Sequence, residues 1–114
     1  MRKIQDLLDS GCRVWFYLRD QDTQNRFVAE VAEIGGRYLN GSPVTVENCS
    51  PIMAVHTDRK VAHLMIMIWN ASFQKGFASH YKGDVSKIQK VDYAKYVAGD
   101  DDYICTQSDF IPVV

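Results

Sequence analysis

The sequence predicts an α+β fold: an antiparallel or mixed β-sheet with one main helix packed on one face, two layers in a single domain spanning 1–114. Three observations carry this. Residues 12–19, CRVWFYLR, alternate as a strand does. Residues 22–34 carry a one-sided apolar stripe at helical spacing. The segments IMAVHT and KVAHLMIMIW, separated by Asp58-Arg59, read as a β-hairpin. With 46% hydrophobic against 24% charged residues, the chain belongs with globular sequences rather than disordered ones.

The elements follow in order. Ile4, Leu7 and Leu8 sit at helical spacing, and Gly11 stops that short helix. In the strand 12–19, Cys12, Val14, Phe16 and Leu18 share one face. Asp20 or Asp22 then caps the main helix, because a short carboxylate accepts from its first unpaired amides. Its stripe is Phe27, Val28, Val31, Ala32 and Ile34, with Glu30 and Glu33 on or near the opposite side, and Gly35-Gly36 ends it. RYL is a short strand, NGSP (40–43) a turn, and 44–51 is irregular or an edge strand between two prolines. Asp-Arg suits a two-residue type I′ turn poorly, which points to a longer hairpin loop. DYAKYVAG (92–99) forms a helix with Asp92 as cap and Gly99 as stop, and DDDYICTQSDF can add a last strand.

The second face of strand 12–19 is unusual: Trp15 and Tyr17 bracketed by Arg13 and Arg19. If 61–69 is one strand, Ala62, Leu64, Ile66 and Ile68 form an aliphatic face to lie under the main helix. Val61, His63, Met65, Met67 and Trp69 then join Trp15 and Tyr17 on the other. A solvated sheet face is normally polar, so this one needs a cover. Three covers fit: the C-terminal segment with Ile88, Val91, Tyr93, Tyr96 and Val97; a second copy of the chain, since Trp, Tyr, Met and Arg favour interfaces; or a ligand. As a ligand platform, Trp15, Tyr17 and Trp69 would stack on a base at about 1–3 kcal/mol each, while Arg13 and Arg19, with His63 and Lys82 nearby, would meet phosphate.

Other chemistry is thinly signalled. The 13 basic and 14 acidic residues give a net charge of −1, so bulk electrostatics does not recruit nucleic acid and an anion site must be local. Three cysteines without CxxC spacing argue against a disulfide framework or zinc ribbon and suit a reducing cytosol. His56 and His63 share a hairpin face, but His80 is distant and no HExxH occurs, so no metal is expected. No spacing pairs a cysteine with a base, and no phosphate-cradling glycine motif occurs, so neither an enzyme nor a cofactor is expected. The acidic turn 99–103 lacks the spaced ligands of a calcium loop. Residues 74–95 carry Lys75, Lys82, Lys87, Lys90 and Lys95 against Asp84 and Asp92, with Phe77, His80 and Tyr81 interleaved. That is either a solvated loop or a surface for an anionic partner. The longest apolar run, 61–69, is too short to span a bilayer as a helix, and no cleavable leader is visible, so the expected setting is soluble and cytoplasmic.

From Arg13 to Gly41 the chain reads VWFYLRDQDTQNRF, then a helix ending in GG, then RYLNG; near the C-terminus stands DYAKYVAGDDDY. In these elements it resembles small hypothetical proteins of phages and prophages. The resemblance implies an accessory protein in the cytoplasm of an infected bacterium, of the kind that counters host defence. It carries no catalytic residues. Together with the aromatic–arginine face, it points to an oligomeric, non-enzymatic protein that sequesters a small anionic ligand such as a nucleotide signal. The alternative is an inhibitor that docks a host defence protein or nuclease through the same face.

Overall fold

The computed structural model describes residues 2–74, 76–77 and 87–106. Helix α1 (Ile4–Leu8) leads into β1 (Arg13–Tyr17), and α2 (Gln21–Glu33) is followed by the two-residue β2 (Arg37–Tyr38). The hairpin is β3 (Ile52–Val55) and β4 (Lys60–His63); then come α3 (Ile66–Ala71), β5 (Ile88–Asp92) and α4 (Tyr93–Ala98). The five strands form one mixed sheet in the order β2-β4-β3-β1-β5. β1 runs antiparallel to β3 and parallel to β5, while β2 runs parallel to β4. The α+β fold with one main helix is thus the observed one.

Local chemistry sets the boundaries of these elements. Asp20 Oδ1 accepts from the Thr23 amide at 2.8 Å and from its hydroxyl at 2.6 Å, capping α2. Asp92 caps α4 in the same way through Lys95 N, and Gly99 at φ 86° ends it in the left-handed conformation. The hairpin loop is indeed longer than two residues. His56 N donates to Lys60 O at 2.8 Å, Arg59 N donates to His56 O at 2.9 Å, and Arg59 takes φ 70°.

One face of the sheet packs on α1, α2 and α4. Val14, Phe16, Leu18, Phe27, Val31, Met53, Val55, Val61, Val91, Tyr93 and Tyr96 form that core. Phe16, Phe27 and Tyr93 meet in mutual tilted and edge contacts, with centroids 5.4–5.6 Å apart. Glu30 overturns the expectation that it lies on the solvated side of the helix. It is 7% exposed and accepts from the Ile4 amide and from the Tyr93 hydroxyl, both at 2.5 Å, tying α1 and α4 to α2.

The other face also departs from the expectation. The run 61–69 is not one strand: it stops at His63 and turns helical at Ile66. Leu64 N makes the last ladder bond, to Ile52 O at 3.3 Å. Ile52 is the first residue of β3, and Pro51 before it turns its carbonyl to Leu18 N of the neighbouring chain segment, so the ladder to β4 runs out and the helix satisfies the backbone internally. The parity of β4 is the reverse of that expected. Trp15 pairs with Ala54 and Ala54 with Ala62, so Ala62 shares the Trp15 face; Phe16, Met53 and His63 share the opposite one. The cover of the Trp15 face is α3 with Phe73 and Phe77; Ile88 belongs to that face itself, as a residue of β5, and Cys105 packs into the same cluster. Val91, Tyr93, Tyr96 and Val97 pack on the α2 face instead. Residues 103–105 lie along the outer edge of β5, with Asp92 N donating to Tyr103 O and Cys105 N to Lys90 O. Among the described residues no helix is long and apolar enough to cross a membrane.

Candidate ligand-binding cleft

The expected site residues are not all brought together. Trp15 and Trp69 are 2% and 1% exposed, covered by the chain itself. Trp69 reaches the Trp15 face from α3 rather than from a strand, stacking on Tyr17 at 6.4 Å and 29°. Its indole N–H has no hydrogen-bond partner among the described residues, and it packs here as apolar bulk. Arg19 donates to Asp92 Oδ2 at 2.7 Å, and this bond raises its pKa, so its guanidinium is already engaged by a carboxylate. His63 lies on the opposite face, stacked on Tyr38 at 5.2 Å and 10°, with Nδ1 3.1 Å from Ser50 Oγ. Met65 and Met67 point away from the sheet, 62% and 60% exposed. Lys82 and His80 lie outside the described residues. Arg13 stays on the Trp15 face, opposite Ile88 of β5.

What the fold adds is Lys90. It is the register partner of Trp15 across the parallel β1–β5 ladder, so both side chains stand on the same sheet face. Ser72, the C-cap of α3, receives the ammonium: Nζ lies 3.0 Å from Ser72 O and 3.3 Å from Oγ. The Ser72 hydroxyl in turn donates to Trp69 O at 2.6 Å. Nζ also sits 4.3 Å from the centroid of the Phe73 ring, a cation–π contact. Burial lowers the Lys90 pKa, with the nearby Cys105 acting the other way. No carboxylate among the described residues forms an ion pair with it.

These groups bound a cleft of about 270 Å³. Trp15, Phe77 and Ile88 supply its apolar walls, Phe77 meeting Trp15 edge-on at 6.4 Å and 80°. Ser72, Gln74 and Lys90 supply its polar ones. The arrangement is a partly desolvated cation beside aromatic surface, suited to an anion with a flat apolar body. A shallower groove of about 440 Å³ runs past Tyr38, Leu39, Asn48 and His63, but among the described residues no lysine or arginine lines it. Among the described residues no three His, Cys, Asp or Glu side chains cluster to hold a metal ion.

Lys90 was legible only as one member of the basic, aromatic-interleaved stretch 74–95. What singles it out is that Trp15 lies beside it across a parallel ladder, a long-range pairing with no local signal in the sequence. No family model matches the chain, and neither a curated protein nor a solved structure matches it.

Proposed function

We propose that this is a non-enzymatic binding protein that captures a small anionic ligand, of the class of a nucleotide signal, in the cleft between Trp15 and Lys90. The setting is that of a phage-type accessory protein countering a host defence in the bacterial cytoplasm. The observation that carries the reading is the Lys90 ammonium, held by Ser72 and Phe73 without a carboxylate partner among the described residues, beside Trp15 and Phe77. Arg13, on the same face, supplies a second positive charge. A volume of about 270 Å³, just under the usual range of roughly 300–1,000 Å³ for small-molecule sites, admits one small ligand group rather than a nucleic-acid strand.

Calorimetry against a panel of mono- and cyclic nucleotides tests this. A charge-assisted hydrogen bond contributes about 1.5–3 kcal/mol, so Lys90→Ala is expected to weaken binding about 10- to 150-fold in a chain that stays folded. Absence of binding by every nucleotide in the panel would overturn the reading. A second reading, docking of a host defence protein or of a second copy of the chain, is favoured by the exposure of Met65 and Met67. It predicts that Met65→Lys with Met67→Lys abolishes the association while leaving nucleotide binding unchanged.

A further inference from the structure

We infer that Lys90 Nζ is a carbonyl-reactive amine, able to form an imine with a small aromatic aldehyde that carries an anionic group and enters the cleft. The inference takes its geometry from the ligand-cleft reading and adds covalent chemistry to it. Imine formation needs a neutral amine, room for the carbonyl beside it, and something to hold the partner in place. Lys90 has the room and the hold, and burial of its side chain tilts the ammonium toward the neutral amine, with Cys105 acting the other way. The cleft lies against its side chain, and the half-buried Phe77 and Ile88, backed by the buried Trp15, offer apolar surface for an aryl group. Ser72 holds the nitrogen in place from behind. Lys3 and Lys95, by contrast, stand half-exposed beside Glu33 and Asp102 at 3.8 and 3.6 Å, and neither lines the cleft.

The step balances without a redox partner. The ammonium gives one proton to solvent, and the nitrogen lone pair attacks the carbonyl carbon to form the C–N bond. The carbonyl oxygen takes up a proton that the nitrogen gives up, leaving a neutral carbinolamine. It then leaves as water with a second proton, the nitrogen loses its last one, and the C=N bond is formed.

The test uses the full chain and pyridoxal 5′-phosphate, an anionic aromatic aldehyde, at one equivalent. Borohydride then reduces any imine to a stable amine, and peptide mass spectrometry locates it. The expected result is Lys90 as the most heavily labelled lysine in the peptide map. Lys90→Arg, which keeps the charge, should lose that adduct alone, with an unchanged circular dichroism spectrum. Adduct spread evenly over the lysines, or a map unaltered by Lys90→Arg, would overturn the inference. Nucleotides carry no aldehyde, so the two ideas fail separately. Nucleotide binding with an unlabelled Lys90 removes the imine chemistry alone. A labelled Lys90 with no nucleotide binding removes the nucleotide reading and supports the reactive amine.

Discussion

Glu30 is where a single side chain joins three helices, and replacing it should cost a large share of the fold's stability. Its two carboxylate oxygens take the Ile4 amide and the Tyr93 hydroxyl, each at 2.5 Å, in a site 7% exposed. Glu30→Ala leaves both donors buried without an acceptor. At about 1–3 kcal/mol for each orphaned donor, the loss is about 2–6 kcal/mol, against roughly 5–15 kcal/mol for a whole domain. Tyr93→Phe removes one of the two bonds and should cost about 1–3 kcal/mol. Glu30→Gln keeps the shape but gives up charge assistance and turns an N–H group toward one of the donors, about 1–3 kcal/mol in all. Urea unfolding followed by far-UV circular dichroism measures each loss. A double-mutant cycle between Glu30→Gln and Tyr93→Phe isolates the shared bond. Amide hydrogen exchange at Ile4 should accelerate in both Glu30 variants, because α1 is held to α2 through that amide. A Glu30→Ala protein within about 0.5 kcal/mol of the parent would refute the reasoning, since this is the scatter expected of ordinary surface substitutions.

Two further outcomes follow from the same packing. Burial, reinforced by Glu30, pushes the Tyr93 hydroxyl far above its ordinary pKa, and burial with the charge of Asp6 pushes Tyr96 to about 12. The folded chain therefore keeps protons that the unfolded chain loses near pH ~10, so stability is intact below that pH and falls above it. The slope approaches about 1.4 kcal/mol per pH unit per tyrosine, and the Tyr96 share levels off near pH 12. Urea midpoints between pH 9 and 11 should drop in the parent and drop less in Tyr93→Phe or Tyr96→Phe; equal slopes would contradict the assignment. At Gly36, a Cβ would stand 2.7 Å from Val31 Cγ1 and 3.2 Å from Arg59 O. Gly36→Ala should thus cost about 1–3 kcal/mol by overpacking, where Gly35→Ala, strained only by φ 75° with open space around it, costs about 1. Thermal melts of the two variants check the order.

Much of the fold was legible locally. The caps at Asp20 and Asp92, the stops at Gly11, Gly35-Gly36 and Gly99, and the core face Val14, Phe16, Leu18 rest on residue type and short spacing, and each is found where the sequence put it. Local pattern failed where the deciding contact was distant. The run 61–69 is apolar enough for a strand or a helix, and the start of β3 at Ile52, where the ladder to β4 runs out, decided between them. The parity of β4 followed from its register with β3, and a one-residue difference exchanges its faces. Glu30 looked solvated because helical spacing says nothing of α1 and α4 closing over it.

The same division holds for the site. The sequence by itself determined that Trp15 and Tyr17 share a face with Arg13, because strand alternation is a property of the backbone. Only the tertiary structure decided that α3 and its following residues cover that face, that Arg19 is engaged by Asp92, and that Lys90 stands beside Trp15. Those outcomes depend on which strands pair and in what register. That is settled by burying both faces of one sheet at once, a global balance that no short stretch of chain encodes.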